Sequence, residues 1–288
     1  MPELSIVIPV FNEQENIPVF YRKTQKILAD LNKSWEFIFV NDGSGDQSAA
    51  VLSALASKDV SVKYIDLTKN FGQQAALTAG MDHAIGRAII TMDCDLQDPP
   101  EVIPEMIQKW AEGADIVYAR RSHRDDKFIK KYSALLYYKL LHKFSETKIA
   151  GNVGDFRLID RKVLIALRGM REKSRYLRGM VAWLGYHFEI IDYKRPERIY
   201  GKTGFSLLKM VRLGMSGILN FSLLPLRLGL IIGMLTVFSG FGFIAYITYD
   251  TLFFDTIYPL YKSLSVITFV LTGFIFIISL CHFLIKFL

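Results

Sequence analysis

From Leu228 to Tyr249 the chain runs 22 residues without a formal charge, and from Ser263 to Ile285 it runs another 23. Each run is long enough to cross a hydrocarbon core of ~30 Å at ~1.5 Å per residue. Two buried core helices would show the same pattern. Two such runs in succession, however, point to a transmembrane hairpin. The rest of the chain behaves differently, with charge and apolar runs mixed over residues 1–200 as in a soluble domain. The expected organisation is a domain over 1–200, an amphipathic juxtamembrane segment over 201–226 and a hairpin over 227–288, with spans at about 228–249 and 263–285.

The flanks of the spans set an orientation. Arg195, Arg198, Lys202, Lys209, Arg212 and Arg227 precede the first span, whereas the loop 250–262 offers Asp250, Asp255 and Lys262. Positive residues stay cytoplasmic, so the large domain is expected in the cytosol. Within 203–226, Phe205, Leu208, Val211 and Met215 recur near one helical turn among Lys209 and Arg212, the pattern of a helix lying in the interface. The stretch 127–144 mixes lysine with leucine and tyrosine; it fits either that surface or an amphipathic core helix. No signal peptide is expected ahead of the strand-like run that follows Met1-Pro2-Glu3. Cys94 and Cys281 lie far apart, which does not suggest a disulfide framework. The net charge of +7 is concentrated in 120–131 and beside the first span, where lipid head groups explain it better than nucleic acid.

Strand-like runs at 4–10, 35–40, 62–67, 88–93 and 114–119 alternate with helical stretches at 11–28, up to Ala56, at 72–86 and at 99–113. That alternation implies an α/β fold with a largely parallel, right-handed sheet. Each strand ends in a polar cluster: Asn12-Glu13, Asn41-Asp42, Lys69-Asn70, Asp93 to Asp98, and Arg120-Arg121. In an open α/β sheet the ligand crevice lies outside the carboxyl ends of the strands. Five polar clusters converging there describe a site.

Two phosphate-binding devices fail. The loop GSGDQS (43–48) lacks the third glycine of a dinucleotide fingerprint, and GKT (201–203) has Pro196 where a P-loop needs glycine. A divalent cation is another way to neutralise a phosphate ligand. In an extended segment Asp93 and Asp95 would point to one side, with Gln97 continuing the alternation and Cys94 pointing away. Hard oxygen ligands suit Mg²⁺ or Mn²⁺, which commonly bind through one or two carboxylates with substrate phosphates completing the shell. A carboxylate after the second strand, here Asp42, holds the usual place for a base or ribose contact, while Asp46 reads as a helix cap.

The segments IPVFNEQENI, VNDGSGDQS, KNFGQQAALTAGMDHA, MDCDLQDPPEVIP, GNVGDFRLIDR and RPERIYGKTGFS occur in this order. Together they resemble family 2 glycosyltransferases acting on polyprenyl phosphates, most of all the bactoprenol glucosyltransferases of serotype conversion, which are related to dolichol-phosphate mannose synthases. The resemblance covers roughly residues 4–250 and continues through the paired spans. It implies a GT-A fold, a nucleoside diphosphate sugar donor, and Mg²⁺ or Mn²⁺ held by Asp93, Asp95 and Gln97. It places the donor along Pro9, Asn12, Glu13, Asp42, Asn70, Phe71, Gly72 and Asp93. Asp155 matches the residue proposed as base in the family. Since a phosphate monoester with a second pKa near ~6 is already mostly dianionic at neutral pH, that role is open, and orientation of a cation or basic side chain is the alternative. Arg157, Arg198 and Lys202 are candidates to bind the acceptor phosphate or the departing diphosphate.

The implied reaction is inverting transfer of a hexose, glucose from UDP-glucose in the first instance, to undecaprenyl phosphate at the bacterial cytoplasmic membrane. It would serve modification of a cell-envelope glycan such as O-antigen. GDP-mannose, UDP-galactose or a UDP-N-acetylhexosamine are alternative donors, and a non-catalytic membrane scaffold is the alternative of a different class. Two spans are too few for a flippase, so a separate one is expected, and a homo-oligomer is possible. The chain ends at Leu288 without the charged tail that many relatives carry, which leaves contacts made by such a tail in doubt.

Overall fold

The computed structural model describes residues 2–122, 153–170, 175–196, 224–254 and 260–287. Seven strands form one sheet: β1 (Leu4–Val10), β2 (Trp35–Asn41), β3 (Val62–Asp66), β4 (Ala88–Thr91), β5 (Ile116–Arg121), β6 (Val153–Asp160) and β7 (Phe188–Tyr193), in the order β3-β2-β1-β4-β6-β5-β7. The pairs β1–β2, β1–β4, β2–β3 and β5–β7 are parallel. Only β6 runs against its neighbours β4 and β5. The helices are α1 (Asn16–Ala29), α2 (Ser48–Lys58), α3 (Gln73–His83), α4 (Ile103–Ala111), α5 (Arg161–Gly169), α6 (Leu177–Trp183), α7 (Leu224–Phe254) and α8 (Leu260–Phe287).

The central strands are buried on both faces, as crossover helices require, and this is why they read as continuous apolar runs rather than alternations. Ile6 and Ile8 of β1 and Phe37 and Phe39 of β2 are fully buried. Phe20 of α1 meets Phe39 edge-on at 6.1 Å between ring centroids.

The expected alternation of strand and helix is present, with specific departures. The first helix begins at Asn16 rather than near Phe11, because Asn12 takes a left-handed φ of 54° and breaks the helical path. Strand β4 stops at Thr91, so Asp93 lies outside it. Strands β6 and β7 were not anticipated, and the antiparallel β6 makes the sheet mixed.

Contact clustering divides the chain into two units, one carrying the sheet and α1 to α6, the other carrying α7 and α8. In the second unit the two helices pack antiparallel through glycines. A Cβ added at Gly233 would lie 2.1 Å from Ile277 Cγ1, one at Gly240 would lie 2.1 Å from Val270 Cγ2, and one at Gly273 would lie 3.2 Å from Thr236 Cβ. Thr236, Thr248, Thr268 and Thr272 each turn the hydroxyl back onto a carbonyl four residues earlier, so these polar groups are satisfied within their own helices. Among the described residues Gly229–Phe254 is long and apolar enough to cross a membrane; the apolar stretch Leu264–Ser279 of α8 is shorter than that. Of the expected juxtamembrane helix over 203–226, residues 203–223 lie outside the described residues and 224–226 open α7; the stretch 127–144 also lies outside the described residues.

The glycine packing makes a prediction. Gly240→Val is expected to destabilise the full chain in detergent by about 1–3 kcal/mol, because a branched side chain overpacks the Val270 contact. Gly242→Val, at a position with nothing within 4 Å, serves as the control. Equal thermal shifts in the two variants would contradict the packing argument.

Candidate active site

Three aspartates at the carboxyl edge of the sheet are tied to four consecutive residues. Asp42, following β2, accepts the backbone N–H of Phe71 on Oδ1 at 2.7 Å and that of Gly72 on Oδ2 at 2.9 Å. Gln73 Nε2 then donates to Asp93 Oδ1 at 2.7 Å, and Gln74 Nε2 to Asp155 Oδ2 at 3.3 Å. The first turn of α3 is thus the brace of the site, and its partial positive charge favours the surrounding carboxylates. Gly43 supports the same segment: its φ is +64°, and a Cβ there would lie 2.4 Å from the backbone carbon of Lys69.

Asp155 reaches the site through the reversed direction of β6. The β4–β6 register pairs Ala88 with Asp160 and Thr91 with Arg157, so Asp155 lies two residues past the last pair, toward the edge that carries Asp93, and its charge acts on Asp93. Thr91 Oγ1 donates to the Asp155 carbonyl, which fixes that end of the ladder. A parallel strand in this place would carry its carboxyl end, with Asp160, to that edge instead.

The acidic segment is a turn rather than an extended strand. Leu96 is buried with a left-handed φ of 60°, an uncommon conformation for a branched residue and one that clusters at functional sites. Asp95 Oδ1 accepts the Gln97 N–H at 3.1 Å, and Asp98 Oδ2 accepts the Asp93 N–H at 3.3 Å. Asp98 also accepts from Tyr193 Oη at 2.8 Å, and Arg121 Nη2 stands 3.9 Å away. Asp95 and Asp98 are buried, while Asp93 is partly exposed. Burial, together with the charges of Asp98, Asp95 and Asp155, pushes the Asp93 carboxyl well above the usual carboxylate range. Burial likewise raises Asp98, against the pull of Arg121 and Tyr193.

Asp155 goes the other way. Burial works upward on it, but Arg178 and Arg157 outweigh that and hold the carboxyl below its ordinary value. Arg178 donates from Nε and Nη2 to separate oxygens at 3.1 and 2.8 Å, and Arg157 Nη2 adds a third guanidinium bond at 3.2 Å. A carboxylate so paired is a poor proton acceptor.

Several expected residues sit differently from the sequence reading. Gln97 was expected at the metal, yet its carbonyl accepts from Arg195, whose positive charge would compete with a cation there. Asp42 was expected at the nucleotide, and both its oxygens already hold the 71–72 backbone. Asn12 Oδ1 accepts from Gly45 N at 2.8 Å, and Glu13 N–H donates to Ser48 Oγ at 3.0 Å, so these two zip one loop to the next. Asp46 accepts from Ser48 N at 2.9 Å beside the start of α2 and also from Gln14 N at 3.3 Å. Pro9 is paired with Val40 inside the sheet. Asn70 and Phe71 are exposed at the rim, with Lys69 Nζ 5.1 Å from the Phe71 ring centroid. Arg157 is buried against Asp155, which removes it as a free phosphate ligand. Arg198 and Lys202 lie outside the described residues.

Asp98 and Arg121 were placed at this edge by their polar clusters but given no role, and the residues that sequence reasoning missed are Arg178, Tyr193 and the pair Gln73-Gln74. A signal existed for the glutamines, which open α3 directly after the conspicuous KNFG turn. None existed for Arg178, which stands 23 residues from its partner.

The model of glycosyl transferase family 2 matches residues 5–168, the segment that contains every one of the three braced aspartates. The chain belongs to that family. It is a glycosyltransferase with the GT-A fold expected from its motifs. A prophage bactoprenol glucosyl transferase homolog of Escherichia coli is 43% identical over 92% of this chain and 87% of its own length. The bactoprenol glucosyl transferase of Shigella phage SfV is 42% identical over 92% of this chain and 86% of its own. Among solved structures, glucosyl-3-phosphoglycerate synthase from Mycobacterium tuberculosis, crystallised with Mn²⁺, UDP and phosphoglyceric acid, overlays with a TM-score of 0.54. It covers 76% of each chain at 15% identity, a likeness of fold alone.

Proposed function

We propose that this glycosyltransferase moves a hexose, glucose from UDP-glucose, onto undecaprenyl phosphate with inversion. The observation that carries the reading is the convergence of Asp93 and Asp95 with Asp155 at the carboxyl edge of the sheet, in a chain whose relatives are named for bactoprenol.

The donor set fits a divalent cation that is completed by substrate. Three aspartates crowd the 93–98 turn, and Asp93 is raised by burial first and then by the charges of Asp98, Asp95 and Asp155. Among the described residues no three His, Cys, Asp or Glu side chains form a self-sufficient metal cage. Two carboxylates with the remaining positions left to phosphate oxygens is the arrangement Mg²⁺ and Mn²⁺ commonly use. Asp93 and Asp95 would hold the ion, which supplies charge neutralisation for the leaving diphosphate. Gln97 is not assigned to it, because its oxygen faces Arg195.

The rest of the chemistry belongs to the chain. A phosphate oxygen of the lipid attacks the anomeric carbon from the face opposite the diphosphate. The bond from that carbon to the diphosphate breaks, and its electron pair departs with the nucleoside diphosphate. One displacement inverts the centre, so an α-linked donor gives a β-linked lipid product. The acceptor arrives largely dianionic at neutral pH, so no side chain is required to remove a proton. Asp155, paired with two guanidinium groups, is suited to orientation instead. Arg121 beside Asp98 offers positive charge at the metal turn. Arg198 and Lys202 are retained as diphosphate or acceptor contacts.

The site belongs at head-group depth, with α7 and α8 as a two-span anchor in the bacterial cytoplasmic membrane and the sheet domain in the cytosol. The product then requires a separate flippase to serve glycan modification outside. Membranes containing the full chain should be incubated with undecaprenyl phosphate and, separately, labelled UDP-glucose, UDP-galactose, UDP-N-acetylglucosamine and GDP-mannose. Label from UDP-glucose is expected to become lipid-extractable. Label from another donor alone would replace the sugar, and no extractable label from any donor would reject transfer to this lipid.

A further inference from the structure

Asp155 is one of the most tightly held side chains of the site. Its two oxygens receive four N–H donors: Nε and Nη2 of Arg178, Nη2 of Arg157, and Nε2 of Gln74. These donors come from three elements, α6, β6 and α3. The same elements are cross-tied next to the carboxylate. The Leu177 N–H donates to Gln74 Oε1 at 3.0 Å, and Arg157 Nη1 donates to the Leu177 carbonyl at 3.5 Å. The opening of α6 is therefore fixed where Arg178 must stand to grip the carboxylate.

The two arginines differ in access. The Arg157 side chain is 3% exposed, whereas that of Arg178 is 28% exposed. Arg157 is an interior strut, and Arg178 stands at the boundary between strut and cleft. A planar guanidinium bonding both oxygens of one carboxylate fixes its plane and not merely its position; an ammonium supplies the charge without the fork.

Electrostatics gives this geometry a consequence. The charges of Asp155, Asp95 and Asp98 all act on Asp93, so an incoming phosphate dianion faces several carboxylates. A bare Asp155 would repel it. Paired with both arginines, the Asp155 group carries one net positive charge and admits an anion alongside.

We propose that Arg178 is a positioning residue for the acceptor, setting the plane of Asp155 and cancelling its charge so that the acceptor phosphate can lie beside it. This rests on the polyprenyl-phosphate reading above. It assigns to Arg178 no contact with the sugar donor and no proton transfer.

The test uses the full chain in membranes with undecaprenyl phosphate and whichever donor labels lipid in the wild type. A wild type that labels no lipid defeats the underlying reading, while every outcome below concerns Arg178 alone. Arg178→Ala is expected to lose about 30-fold in kcat/KM for the lipid, from two charge-assisted bonds, while KM for the donor stays within about twofold. Arg178→Lys is expected to recover most of the lipid KM through charge, yet to remain about tenfold low in kcat because it lacks the fork. Since Arg178 acts through Asp155, the double variant D155N/R178A should lose no more than the worse single variant. Losses that multiply in the double variant would overturn the proposal. So would a fall in thermal stability of Arg178→Ala and Arg178→Lys alike with lipid kinetics unchanged, since that is the behaviour of a structural staple.

Discussion

Asp95→Ala is expected to cut lipid-linked sugar formation by about a thousandfold, equivalent to ~4 kcal/mol of lost transition-state stabilisation. The residue is buried, and in this turn it does two things. Its Oδ1 accepts the Gln97 N–H at 3.1 Å, and its charge adds to that of Asp93 and Asp98. Asp95→Asn separates the two. The amide keeps an acceptor for Gln97 and the turn, but it removes the charge that a divalent cation requires. If charge is what matters, Asn should fall almost as far as Ala, with thermal stability preserved. Chelation of the wild type should give the same loss, reversed by adding Mg²⁺ or Mn²⁺. Full turnover in chelator, or an active Asp95→Asn, would refute the metal role of this pair.

Gly43→Ala is expected to be the most damaging small substitution outside the acidic turn. An alanine Cβ there would lie 2.4 Å from Lys69 C and 2.6 Å from Asn70 N, and backbone cannot yield as a side-chain tip can. The φ of +64° adds ~1 kcal/mol for any residue with a Cβ. The sum expected is a loss of ~2–4 kcal/mol in folding stability, within the range of severe single substitutions. The displaced segment is the one Asp42 clamps and from which Gln73 and Gln74 reach Asp93 and Asp155. Activity in the folded fraction should therefore drop as well. Gly45→Ala, two residues on with nothing within 4 Å, should leave both stability and activity near wild type. Denaturant unfolding and transfer assays on the two variants decide the matter.

Much of the architecture was readable because it rests on local periodicity. The runs at 4–10 and 35–40 are apolar apart from Ser5 and Glu36, which are buried and bonded to each other, as suits strands covered on both faces, and they became β1 and β2. The polar residues placed after the strands include Asp42 and Asp93, which the structure ties to the 71–74 segment. Strand β6 was hidden for the opposite reason. Its sequence VGDFRLID carries Asp155 and Arg157 in a buried strand, so its composition does not read as strand. Strand β7, FEIIDY, had a weak alternation that could have been taken as a strand signal. The start of the first helix moved because Asn12 takes a left-handed φ, and the acidic segment turned at Leu96; neither residue announces positive φ in the way glycine does.

The sequence by itself determined the class of sheet, the edge where the polar residues gather, the acidic pair at 93 and 95, and two long apolar segments. These follow from spacing along a few residues, and short-range spacing is all that helix and strand periodicity require. Tertiary structure alone decided which charge meets which. The partners Gln74 and Asp155 are 81 residues apart, and Tyr193 and Asp98 are 95 apart, so no local pattern links them. The reversal of β6 brings Asp155 to the edge that carries Asp93, and the start of α6 delivers Arg178 to it. Such pairings arise because buried carboxylates must find donors wherever the packed chain brings them, and packing acts across the whole fold.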